Sequence, residues 1–305
     1  SSKPKYTAHD VTQGEEIDTT INLQTGTLHP GKYILRLEMQ NSEGNTAIVE
    51  KTFYWGVIAL NFDRSSPQVH EEEKVSMGVL DDLGKTICNA DLVVKVRDPR
   101  GKTVTYETKK RTIATNPNCV DKNVTNEADY HFNFTPHVVG TYHVTMRAKT
   151  KAGVRLYEDN LLVKESEVFD VQRFDYPTRI NPYAAYKIRI GVTPRRDYTG
   201  MVYERVPDSF KISQLPKNAT VEKDPSQPGM QRIAWEVEWQ KDSTYFLTYR
   251  FVAPPISPAL FLTGPITIGG DELLGVDYTE PRQWQIASDS ISSISWDGSS
   301  SALWS

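Results

Sequence analysis

The segment RIAWEVEWQ, from Arg232 to Gln240, alternates without a break. Ile233, Trp235, Val237 and Trp239 share one parity; Ala234, Glu236 and Glu238 share the other. An extended strand places these residues coherently, because successive side chains point to opposite faces. One face is then core and the other solvent, as in an antiparallel sheet that is wet on one side. The same period runs through YKIRIGV, KYILRLEM and TYHVTMRA, and through DLVVKVRDP, which runs into a turn at Asp98–Gly101. No segment keeps a helical period of 3.6 over three turns. The chain has 15 Tyr and 6 Trp, residue types that favour strands. The expectation is an all-β protein.

A longer pattern is written twice. PGKYILRLEMQNSEG spans Pro30–Gly44, and VGTYHVTMRAKTKAG spans Val139–Gly153. Each reads as a late strand of a β-sandwich. From Gly31 to Gly140 is 109 residues, close to one immunoglobulin-like domain. In such a sandwich a Tyr just after a turn anchors a corner through its hydroxyl, and Tyr33 and Tyr142 are placed either for that role or as plain core aromatics. The fold class is therefore tandem immunoglobulin-like β-sandwich domains. Residues 1–56 read as the C-terminal part of an incomplete sandwich and 57–166 as a second. Residues 167–288 form a third, with Trp235 and Trp239 in its core and Glu236 and Glu238 in solvent. Residues 289–305 read as a linker or the start of a further module. The opening SSKPKYTAHD lacks Met and reads as the start of a processed product or fragment.

Composition removes several function classes. Net charge is −4, so no basic field attracts nucleic acid. No run of 18 apolar residues exists to enter a bilayer as a helix. The two cysteines, Cys88 and Cys119, fall in one expected domain, Cys119 in the polar loop TNPNCVDKN. A disulfide implies an oxidising compartment; two free buried thiols is the alternative.

The stretch VIALNFDRSSPQVHEEEKVSMGVLDDLGKTICNADLVVKVRDPRGK resembles macroglobulin-like and bacterial immunoglobulin-like modules. The resemblance is carried by Pro67, Val75–Leu80, Gly84–Val94 and Asp98–Gly101. YTGMVYERVPDSFKI, and the run from IAWEVEWQ to EPRQWQIASDSI, resemble repeat modules in very large secreted surface proteins of uncultivated, small-genome bacteria. The resemblance implies a cell-surface or secreted architectural role. The Cys-Gly-Glu-Gln thioester of the macroglobulins is absent, since Cys88 precedes Asn and Cys119 precedes Val.

Motifs for chemistry are sparse. The sequence holds no His-Glu-x-x-His and no Gly-x-Ser-x-Gly, so no enzyme is expected. His131 and His143 fall on polar strand faces. Glu71–Glu73, Asp81–Asp82 and the group Asp271, Glu272 and Asp277 are either solvated surface or oxygen donors for calcium, the one cofactor considered. Three Asn-x-Thr sequons, at Asn123, Asn133 and Asn218, are acceptors in a host that glycosylates Asn and chance occurrences otherwise. The leading expectation is a structural module of an extracellular multi-domain surface protein: a stalk, surface-layer or fibre component. Its partners would be further copies or neighbouring modules, joined through edge strands. An adhesin or carbohydrate-binding module is one alternative; accessory domains of a larger secreted enzyme are another.

Overall fold

Strand pairing defines the architecture. The computed structural model describes residues 31–40, 46–55, 58–81, 84–150, 153–269 and 276–290, and the described residues are strands, turns and loops without a helix. Residues 1–30, the tail after Ser290, and Asp82, Asp271 and Glu272 lie outside them, as does the side chain of Tyr33. The chain divides into two units, Ser1–Trp55 and Gly56–Ser305. In the first, β1 (Gly31–Gln40) pairs antiparallel with β2 (Thr46–Trp55) in unbroken register. Whether further strands accompany this hairpin turns on residues outside the described ones.

The second unit holds two sandwiches. The middle one comprises β3 (Ile58–Phe62), β4 (Glu73–Val79), β5 (Asp91–Arg97), β6 (Thr103–Glu107), β7 (Ala114–Thr115), β8 (Tyr130–Phe134), β9 (Gly140–Thr150) and β10 (Gly153–Val163). One sheet has the order β3-β4-β8-β7 and the other β10-β9-β5-β6. With the strands lettered along the chain, this is an A-B-E-D sheet over a G-F-C sheet with one added C′ strand, the immunoglobulin arrangement. Alternate residues of both sheets meet between them, among them Leu60, Met77, Leu92, Tyr130, Val144 and Leu161.

The third sandwich comprises β11 (Phe169–Arg173), β12 (Arg179–Ile180), β13 (Ala185–Pro194), β14 (Tyr198–Pro207), β15 (Lys211–Ser213), β16 (Ala219–Lys223), β17 (Met230–Trp239), β18 (Tyr245–Val252), β19 (Ala259–Thr263), β20 (Ile266–Gly269), β21 (Val276–Thr279) and β22 (Trp284–Ser288). Sheet β11-β13-β18-β15 faces sheet β16-β17-β14-β20-β21, and β12-β22-β19 forms a small third sheet. Trp235 and Trp239 are 1% and 4% exposed in the core, while Glu236 and Glu238 face solvent.

Tyrosine corners recur. The Tyr142 hydroxyl accepts the backbone N–H groups of His137 and Val138 at 3.2 and 3.1 Å. Tyr186 does the same for Asn181 at 2.7 Å, and Tyr245 for Gln240 at 2.8 Å. In all three the ring reaches back five residues and fixes the loop that feeds its own strand.

Candidate functional site

Two five-residue strands show no alternation of burial at all. IALNF of β3 and WQIAS of β22 are buried at every position. A strand buried on both faces has a neighbour on each. Ile58, Leu60 and Phe62 fill the middle core, and Trp284 and Ile286 fill the third. The other faces, Ala59 and Asn61 on β3 and Gln285 and Ala287 on β22, meet each other. They form a seam between the two sandwiches.

The centre of the seam is a side-chain copy of a β-ladder. Asn61 Nδ2 donates to the Gln285 carbonyl at 2.8 Å, and the Gln285 N–H donates to Asn61 Oδ1 at 2.7 Å. The Leu60 N–H reaches Gln285 Oε1 at 3.2 Å, and Gln285 Nε2 donates to the Tyr157 hydroxyl at 2.6 Å. Both amides are nearly buried, and each buried polar atom that is bonded avoids a desolvation cost of about 1–3 kcal/mol. Ala59, Leu80 and Ala287, all fully buried, add a small apolar contact.

At one side sits Arg179 of β12. Its guanidinium forks onto Asp129 of the middle sandwich, Nε to Oδ2 at 2.8 Å and Nη2 to Oδ1 at 2.9 Å. Nη1 donates to Asp289 Oδ2 at 2.8 Å, and Nη2 to Asn123 Oδ1 at 2.5 Å. Arg179, Asp129 and Asp289 are 4%, 1% and 0% exposed. Asp289 also accepts from the Thr86 hydroxyl at 3.0 Å and the Lys122 N–H at 2.6 Å. Burial pushes the Asp289 carboxyl upward, against the pull of Arg179. In sequence Asp289 opens the stretch expected as a linker or further module. It belongs to this seam, because it follows β22 directly and the Arg179 charge lies within bonding distance.

The disulfide carries one wall of this site. Cys88 and Cys119 are bonded, with sulfurs 2.06 Å apart. Cys119 begins the segment that supplies Asp121, Lys122 and Asn123. Asp121 accepts the Thr86 N–H at 3.1 Å, and the Lys122 carbonyl accepts from Asn181 Nδ2 at 3.0 Å. Tyr130 holds the other half, accepting from the Ala90 N–H at 2.9 Å and donating to the Ile87 carbonyl at 2.5 Å.

The opposite side is built on Arg64. Its Nε donates to Asp170 at 2.9 Å and Nη2 to Gln172 at 3.0 Å, and its N–H donates to Glu73 at 2.7 Å. The Arg173 N–H donates to the Asp63 carbonyl at 2.8 Å, which carries backbone bonding from one sandwich to the other. Ser66 donates to Glu167 at 2.8 Å, and Arg282 pairs with Asp159. Burial raises the Asp63 carboxyl to about 7, against the pull of Lys74 and Arg64. Burial also raises Glu73 well above the usual carboxylate range. The Glu71–Glu73 run was expected either as solvated surface or as calcium donors. Glu73 is fully buried instead, facing Arg64.

The charges continue inward. Arg173 donates to Glu204 and Glu280, each at 2.6 Å, and all three are buried. The Tyr176 hydroxyl lies 2.8 Å from Glu204 Oε1, 2.7 Å from the Tyr249 hydroxyl and 2.8 Å from Thr263 Oγ1. This network ties β11, β14, β18 and β19 together, and no local pattern announces it. Its members are scattered over strands and loops, and the groups that meet the Tyr176 hydroxyl, Glu204, Tyr249 and Thr263, lie 28, 73 and 87 positions away.

Other expected residues fall apart from the seam. Asp277 is exposed and pairs with Arg196 at 2.8 Å. Asn133 and Asn218 are exposed, whereas the Asn123 amide is engaged by Arg179 and by the Asn118 carbonyl. Among the described residues no group of three or more His, Cys, Asp or Glu side chains is placed to hold a metal ion.

Neither family profiles nor curated proteins match the chain. Among solved structures, a membrane-anchored protein from Corynebacterium diphtheriae is similar over 81% of this chain and 63% of its own, at 10% identity and a TM-score of 0.29. Native alpha-2-macroglobulin from Escherichia coli is similar over 84% of this chain and 19% of its own, at 12% identity and 0.28. Fibronectin(III)-like modules from Clostridium thermocellum are similar over 77% of this chain and 95% of theirs, at 12% identity and 0.21. The chain thus spans less than two thirds of the first two proteins. The strand order itself defines the class: an all-β chain with tandem immunoglobulin-like sandwiches.

Proposed function

We propose that this chain is a structural module of an extracellular, multi-domain surface protein, and that residues 56–290 serve as a rigid two-sandwich joint within it. The observation that carries this reading is the seam. Spacer domains that flex need only a short linker, and inter-domain contacts within a chain default to mobile ones. Here Arg179, Asp129 and Asp289 are withdrawn from water and fully engaged across the boundary. Buried ion pairs are costly to separate, since parting leaves uncompensated charge. The disulfide supports an oxidising, extracytoplasmic setting. The reading assigns the chain no catalysis and no cofactor, and its partners are neighbouring modules or further copies.

Spin labels on exposed sites of the two sandwiches, such as Thr105 and Lys217, test the joint. A single narrow distance distribution is expected. A broad one would mean that the sandwiches move independently and would reject the rigid-joint reading.

One observation favours an adhesin as the second reading. Phe174 and Phe246 are 41% and 50% exposed, and the Arg189 guanidinium lies 5.3 and 5.1 Å from their ring centroids. An exposed aromatic pair with a cation is a surface that can stack on a sugar ring. Glycan-array binding that is lost in Phe246→Ala would establish it.

A further inference from the structure

We propose that His70 and His137 form a two-imidazole site for a first-row transition-metal dication at the end of the middle sandwich, a binding site beyond the scaffold role. The two Nδ1 atoms face each other at 3.4 Å, with ring centroids 5.6 Å apart. For a hydrogen bond that separation is long, since N–H bonds in proteins cluster near about 2.9–3.0 Å. For a shared metal it fits. Two nitrogens each about 2.0–2.1 Å from a tetrahedral zinc stand roughly 3.3 Å apart. Both imidazoles are exposed, so the remaining coordination positions are open to water or to a donor from another molecule.

The site is held in place from behind. His70 lies in the loop between β3 and β4 with φ of +66°, a left-handed conformation uncommon outside glycine. Its N–H donates to the Pro136 carbonyl at 2.8 Å, and the preceding Val69 N–H donates to Lys164 at 3.0 Å. His137 lies between β8 and β9, and its N–H is held by the Tyr142 corner. Two distant loops thus present their imidazoles from anchored backbone, the condition that lowers the ordering cost of binding. Glu71, next in sequence to His70, lies 3.7 Å from Arg64 and 3.5 Å from Gln68, and the two imidazole nitrogens are the donors that face each other. An all-nitrogen donor set suits zinc, nickel or copper, whereas calcium and magnesium require oxygens.

Calorimetric titration of the full chain with Zn²⁺ or Ni²⁺ alone, in chelator-free buffer near pH ~7.5, tests the proposal. His70→Asn is the first variant, because Asn tolerates the left-handed backbone; His137→Ala is the second. His143→Ala is the control, its imidazole lying 2.6 Å from Asn160. The expected result is saturable binding that weakens at least about tenfold in either of the first two variants and persists in the control. Metal should also raise the melting temperature of the wild type but not of His70→Asn. Acid should expel it, since an imidazole nitrogen ligates only when unprotonated. Absence of saturable binding, binding undiminished in both variants, or equal binding of Ca²⁺ would each overturn the site.

Discussion

The Lys122 N–H donates to the Asp289 carboxylate at 2.6 Å, three residues after the half-cystine Cys119. The disulfide is thereby coupled to the seam. A bridge that served only its own core would confine the effect of reduction to the middle sandwich. The geometry argues otherwise, because the segment tied by Cys119 supplies contacts to Arg179, Asn181 and Asp289 of the third. Cys88→Ser with Cys119→Ser should cost about 3–4 kcal/mol on the chain-entropy account. It should also increase hydrogen exchange at Lys122 and around Arg179. Exchange that rises in the middle sandwich alone would refute the coupling.

Arg179 is the residue whose loss should part the sandwiches. Replacing it by Ala leaves Asp129 and Asp289 buried without their cation, a change worth about 3–5 kcal/mol. Urea unfolding of residues 56–305 should be one transition in the wild type and two in Arg179→Ala, as each sandwich then unfolds on its own core. Arg179→Met with Asp129→Leu and Asp289→Asn should recover much of the loss, because no uncompensated charge then stays buried. A single unshifted transition in Arg179→Ala would show that the ion pairs contribute nothing to the joint.

The sandwich fold was legible because alternation is a local signal. Trp235, Trp239 and Tyr142 each announce their face through their immediate neighbours. The seam was far less legible. IALNF and WQIAS alternate large apolar residues with small or polar ones, so in sequence they read as ordinary strands, and only their burial at every position marks them as covered on both faces. Arg179, Asp129 and Asp289 are ordinary charged residues in sequence. Only the packing of one sandwich on the other brings Arg179 to a residue 50 positions earlier and another 110 later. The two extra tyrosine corners could have been found from the Tyr five residues after a loop amide, the spacing already visible at Tyr142.

Trp235 tests the core assignment. Its side chain is 1% exposed, lies 6.3 Å from Tyr249 by ring centroid, and its indole N–H has no hydrogen-bond partner. Trp235→Ala should therefore cost about 3–5 kcal/mol from lost burial and a cavity. Trp235→Phe should cost clearly less, because no hydrogen bond is forfeited. Glu236→Gln, on the wet face, should stay within about 0.5 kcal/mol of the wild type. Equal losses for Trp235→Ala and Glu236→Gln in denaturant midpoint would overturn the register.

Asp63 gives the chain a pH dependence of defined sign. Burial raises its carboxyl from 3.8 to about 7, and the neighbouring Lys74 and Arg64 only partly oppose that rise. The folded state therefore holds a proton that the unfolded chain releases in mildly acidic water. Stability from this group is fully present below the unfolded value and falls as pH rises from about 4 through 7, where the folded protein must ionise a buried carboxyl. Glu73, also raised by burial and placed at Arg64 beside Asp170, adds in the same direction. His131, whose imidazole burial lowers, opposes them by favouring the folded state as pH rises. Comparing the wild type with Asp63→Asn isolates the one group. The amide keeps the side chain's size and removes its titration. Melting temperature should then depend less on pH between about 5 and 8, and the variant should gain most over the wild type at the alkaline end. Differential scanning calorimetry across that window reads both effects. A variant with an unchanged pH profile, or one stabilised mainly in acid, would show that Asp63 is ionised at the seam throughout, with Arg64 and Lys74 outweighing its burial.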